Sequence, residues 1–96
     1  MSLEGLEALR VRFRERAHDD LRSVTAWIAA DCPPSESIER LIHNLAGAAG
    51  TFGFAELHQA AARVDDAMCA AVAIQERDRI ALIEALSALR ASHQID

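Results

Sequence analysis

The segment SESIERLIHNLAGAAGTFG, running from Ser35 to Gly53, decides how this chain folds. It follows Pro33-Pro34, a pair that cannot continue a helix and that disfavours helix in the preceding residue. Ser35 has the chemistry of an N-cap, and Glu36 stands in the first turn, where its charge suits the helix dipole. Ile38, Leu41, Ile42, Leu45, Ala49 and Phe52 recur at steps of three and four, which gives one apolar face. Gly53 is placed to stop the helix. The segment therefore reads as one amphipathic helix over residues 35–52.

The flanking sequence repeats the pattern. Before the prolines, Leu6, Leu9, Phe13, Ala17, Leu21, Val24 and Ile28 form a stripe that predicts a helix over residues 3–30. Gly5 could set off a short extra N-terminal helix. The other positions of that segment are largely charged, among them Arg10, Arg12, Arg14, Arg16, Asp19, Asp20 and Arg22, and read as a solvated face. A third helix is predicted over 54–73, with Leu57, Ala61, Val64, Met68 and Val72 inward. Gln75-Glu76-Arg77 reads as a connection. Asp78 then caps a fourth helix over 78–92, with Ile80, Ile83, Leu86 and Leu89 inward. Short connections between successive helices imply antiparallel neighbours. The expected fold is all-α, an antiparallel up-and-down four-helix bundle formed by one domain spanning residues 1–96.

Composition agrees and removes several functions. The 96 residues are 51% hydrophobic and 26% charged, too apolar for a disordered segment. Every one of the ten basic residues is Arg, and fifteen acidic residues leave a net charge of −5. An acidic chain lacks the basic footprint that nucleic acid requires. No apolar run is long enough to span a membrane. The N-terminal residues have no signal-peptide core, and Cys32 and Cys69 make no disulfide framework, so a cytoplasmic location is expected.

The second helix carries more than packing needs. With Ile38 at zero, its apolar residues lie within about 60° of one another's centre line, while His43 falls near 140°, Gly47 near 180° and Gly50 near 120°. Ala46 lies beside them at about 80°. Glycine inside a helix is worse than alanine by about 1 kcal/mol, so a helix built only for stability would not place two here. Their effect is to remove bulk beside an exposed imidazole, where a partner could approach closely. The bland alternative is an idle surface histidine with glycines that serve helix packing.

His43-Asn44-Leu45-Ala46-Gly47-Ala48-Ala49-Gly50-Thr51-Phe52-Gly53 resembles the signature of the histidine-containing phosphotransfer (HPt) domain, which reads His-x-Leu-Lys-Gly, then small residues, an apolar residue and Gly. His43, Leu45, Gly47, Ala48, Ala49, Phe52 and Gly53 match. The resemblance extends to Phe13-Arg14-Glu15-Arg16 and Asp20-Leu21 in the first helix, and to Leu57, Ala61 and Val64-Asp65 in the third. One position departs: Ala46 stands where the family usually has Lys, the cation beside the phosphoryl group. Arg40 could supply charge instead, or could simply pair with Glu36 at i, i+4.

The resemblance implies that His43 is phosphorylated, on Nε2, and that Asp65 orients its ring through Nδ1. Asp65 lies near 80° on its helix wheel with Leu57 at zero, at the edge of the core stripe, and the alternative is a boundary aspartate facing water. His58, near 100°, either lines the surface around His43 or is an ordinary boundary histidine. His18 and His93 have no supporting constellation and are expected in solvent. Implied partners are receiver domains of response regulators or hybrid histidine kinases, docking over Arg40, Ala46, Gly47, Gly50 and His58. The receiver domain would supply the aspartyl phosphate and Mg²⁺, with no cofactor bound by this chain, which is expected to be a monomer. No phosphate-binding loop or kinase signature is present, so the chain would be a transfer intermediate without ATP-dependent activity of its own. The competing readings are a di-iron bundle, for which no Glu-x-x-His occurs, and a structural or receiver-binding bundle without turnover.

Overall fold

A computed structural model describes residues 3–95, with side chains described through residue 89. Its four helices are α1 (Leu3–Ala30), α2 (Glu36–Thr51), α3 (Ala55–Cys69) and α4 (Glu76–Ile95). They form a four-helix bundle in which α2 packs on α3, α3 on α4, and α4 and α2 on α1. The long dimension is 40 Å, close to the roughly 42 Å that α1 spans at about 1.5 Å per residue. Gly5 does not interrupt α1, so there is no separate N-terminal helix.

The caps explain where the helices stop. Ser35 is extended, and its Oγ accepts from the Ile38 N–H at 3.2 Å. At the other end of α2, Gly53 has φ +80°, the Phe54 N–H reaches the Ala49 carbonyl and the Gly53 N–H reaches the Gly50 carbonyl. This is a Schellman motif, and glycine supplies its left-handed residue. The same motif closes α3: the Val72 N–H bonds to the Ala67 carbonyl and the Ala71 N–H to the Met68 carbonyl. Here the left-handed residue is Ala71, at φ +56°.

That second motif corrects the third stripe. The expected helix to residue 73 ends at Cys69, and Val72, expected inward, is 59% exposed. The fourth helix starts at Glu76 rather than 78, so Asp78 lies in its first turn instead of capping it. Leu82, Leu86 and Leu89 form its buried face. With Leu86 at zero, Ile80 falls about 120° away, and it is accordingly exposed.

The core is wholly apolar among the described residues. It centres on Ala17, Val24, Ile42, Ala49, Ala61, Val64, Leu82 and Leu86, all essentially inaccessible. Trp27, absent from the expected stripe, is also buried, and its indole N–H donates to the Cys32 carbonyl at 3.0 Å. The α1 charges are not all solvated. The Arg10 and Arg14 guanidinium groups lie 5.0 and 5.5 Å from the Phe54 ring centroid, and Phe54 stacks on Phe13. Asp20 is half-buried and lines a groove between α1 and α2 with Phe13, Arg16, Arg40 and Leu41.

Candidate functional site

The site lies on the seam between α2 and α3. The glycine turn at Gly53 returns the chain at once, so α3 runs antiparallel beside α2. This brings His43 Nδ1 within 3.1 Å of Asp65 Oδ2. The His43 side chain is 71% exposed, whereas that of Asp65 is only 18% exposed. The carboxylate therefore sits in the seam and the imidazole stands out from it. A carboxylate accepts only, so a neutral His43 must place its proton on Nδ1 to use this contact. Nε2 is then left with its lone pair on the outward side of the ring.

Gly47, one turn beyond His43, is exposed, and a Cβ built there would meet nothing within 4 Å. Thr51 Oγ1 donates to the Gly47 carbonyl at 3.0 Å, which keeps that hydroxyl against the helix. The surface beside the imidazole is thus open.

Three expected members of this face behave differently. Ala46, expected among the exposed docking residues, is buried at 7% exposure and belongs to the core. Its place at the stripe edge turns it into the seam with α3. Gly50 does not face open space, because a Cβ there would come 2.9 Å from His58 Nδ1. His58 Nδ1 in turn lies 2.8 Å from the Ala46 carbonyl, to which it donates. Arg40 reaches back to Glu36, with Nη2 to Oε1 at 3.1 Å, in the i, i+4 pair rather than toward His43.

The structure therefore brings His43, Asp65, Gly47 and the Ala46–Gly50–His58 group onto one seam, and leaves Arg40 on the α1 side. His18 is exposed, away from this group, and the His93 side chain lies outside the described residues. Among the described residues, the exposed large hydrophobic side chains are Leu3, Val72 and Ile80, and they belong to neither α2 nor α3. Among the described residues no three His, Cys, Asp or Glu side chains converge as ligands for a metal ion.

The Hpt domain family model matches residues 8–92, which takes in the greater part of all four helices. The chain belongs to the Hpt family. No curated protein and no solved structure matches it. As an Hpt domain it has a phosphotransfer role in two-component systems, where such domains interact with the receiver domains of phosphorelay proteins. Among the described residues of this Hpt domain no helix is long and apolar enough to cross a membrane.

Proposed function

We propose that this Hpt domain takes a phosphoryl group onto His43 Nε2 from the aspartyl phosphate of one receiver domain and passes it to an aspartate of another. The observation that carries the reading is a mostly exposed imidazole whose Nδ1 meets a half-sunken carboxylate, which leaves Nε2 for the phosphoryl group. In the forward step, the Nε2 lone pair forms an N–P bond as the P–O bond to the receiver's aspartate breaks, and that carboxylate leaves with the electron pair. The ring becomes cationic as the bond forms. Asp65, holding the Nδ1 proton, stabilises that charge and keeps the ring in the correct tautomer, as the aspartate of a Ser-His-Asp triad does. The return step reverses these changes on the second receiver domain. Mg²⁺ belongs to the receiver domain in this reading, and this chain contributes no ligand to it. The domain works as a monomer in the cytoplasm, in keeping with two free and exposed thiols.

A second reading draws on Ala46. It carries no charge where the family usually has Lys, and Arg40 is already paired with Glu36. These features favour a domain that binds a receiver without turnover. Mixing the chain with radiolabelled, phosphorylated receiver domains separates the two. Turnover gives an acid-labile label on the wild type and none on His43→Gln, with transfer to Asp65→Ala about tenfold slower through loss of a charge-assisted hydrogen bond. Binding without any label supports the second reading, and equal labelling of His43→Gln overturns the first.

A further inference from the structure

We propose that His58 is a positioning residue for the phosphoacceptor: wedged against Gly50 and bonded to the Ala46 carbonyl, it sets the register in which Asp65 meets His43. The inference rests on the reading of His43 as the acceptor only for its kinetic consequence.

The argument begins with spacing. Gly50 is seven residues after His43 on α2, and His58 is seven residues before Asp65 on α3. In an antiparallel pair, the two contacts are therefore rungs of one ladder, separated by about two turns, or roughly 10 Å, on both helices. Two turns of helix bring side chains back to nearly the same face. Whatever fixes one rung fixes the other. A slip of α3 along α2 by one turn would draw Asp65 off His43 and His58 off Gly50 together.

The Gly50–His58 rung has the features of a fixed register. It pairs the smallest residue with a flat ring, and the fit is close, since an added Cβ would lie 2.9 Å from Nδ1 and 3.2 Å from Cε1. It also carries a directional bond, from His58 Nδ1 to the Ala46 carbonyl at 2.8 Å. That carbonyl lies one turn beyond His43 on the same helix. The His43–Asp65 rung lacks such support: its imidazole is mostly exposed, and Gly47 beside it fills no space. Both His43 and His58 stand at the surface, but only His58 is tied to the α2 backbone, so its rung holds the register in which the other carries the chemistry.

This accounts for a glycine that helix propensity disfavours. Gly47 leaves open surface, whereas Gly50 makes room for an imidazole of the same molecule.

A double-mutant cycle on the whole chain tests the proposal, using Gly50→Ala, His58→Ala and the pair together. His58→Asn serves as rescue, because its side-chain amide can offer a donor near the position of Nδ1. The first readout is the fraction of neutral His43 carrying its proton on Nδ1, from ring ¹⁵N chemical shifts. The second is the rate of transfer from a phosphorylated receiver domain, and the third is the thermal midpoint. Gly50→Ala and His58→Ala should each lower the Nδ1–H fraction and slow transfer about three- to tenfold, the scale of one lost hydrogen bond. The double variant should be no slower than His58→Ala alone, and Asn should restore most of the loss. Gly50→Ala should raise the midpoint only when His58 is absent, because only then does the added methyl have room. Wild-type tautomer and transfer in His58→Ala would overturn the proposal, as would strictly additive effects of the two substitutions. A wild type that no receiver domain labels would instead count against His43 as acceptor, and the tautomer readout would still decide the role of His58.

Discussion

Asp20 shows how a single residue departs from its place in a charge pattern. It lies in a charged run on α1, yet with Val24 at the centre of the buried face it falls only about 40° away. Burial raises its carboxyl pKa above the ordinary value, opposed by the nearby Arg16 and assisted by Asp19. The folded chain therefore holds the proton more tightly than the unfolded chain does. Stability falls as pH rises from the ordinary carboxyl pKa through the raised one. Asp20→Asn should raise the thermal midpoint at neutral pH and leave it nearly unchanged at about pH 3, where the carboxyl is protonated in both states. An equal gain at both pH values would mean that the effect is not ionisation. Arg16 and Arg40 line the same groove as Asp20.

At the scale of helices, α2 and α3 end in the same hydrogen-bonding motif with different residues at its left-handed position. Gly53 adopts that conformation freely, but Ala71 places a Cβ against the following carbonyl, a penalty of about 1 kcal/mol or more. Ala71→Gly should therefore stabilise the chain by about 1 kcal/mol, seen as a higher urea midpoint with an unchanged slope. Gly53→Ala should destabilise it by a similar amount, and a gain there would refute the account of both caps. The contrast also explains which parts of the fold were legible. The end of α2 could be read because its stop is a glycine, whereas the end of α3 could not, because alanine normally continues a helix. The start of α4 is hidden in the same way: Asp78 has the chemistry of a cap but lies in the first turn of a helix that begins at Glu76, and Ile80 lies off the face formed by Leu82 and Leu86. The nearness of His43 and Asp65 was legible through the family resemblance. The true place of Ala46 and Gly50 was not, because a wheel drawn for one helix shows which way a residue points and not what the neighbouring helix puts there. Two antiparallel rungs of equal spacing carried that information, once the Gly53 turn had set α3 beside α2.

At the scale of the whole molecule, the bundle presents one open place beside its imidazole, and that place is Gly47. Folding alone gives no reason to keep a glycine there. It is mid-helix, its φ is not positive, and a Cβ would meet nothing within 4 Å. Gly47→Ala and Gly47→Gln should both therefore stabilise the free chain, by about 0.5–1 kcal/mol on helix propensity. Docking of a second molecule reverses the preference. A receiver domain must bring its aspartate within bonding distance of His43 Nε2, and reaction is steep in that geometry. A side chain one turn from the ring stands in the approach, more so for Gln than for Ala. Transfer from a phosphorylated receiver domain should fall with side-chain size, by about tenfold for Gln if the obstruction is worth about 1.4 kcal/mol. The tautomer of His43 should stay as in the wild type, since a Cβ at Gly47 meets neither Asp65 nor His58 within 4 Å. Gain in stability with loss of transfer at an unchanged imidazole would locate the partner on this face. Transfer at the wild-type rate in Gly47→Gln would move the docking surface elsewhere on the bundle.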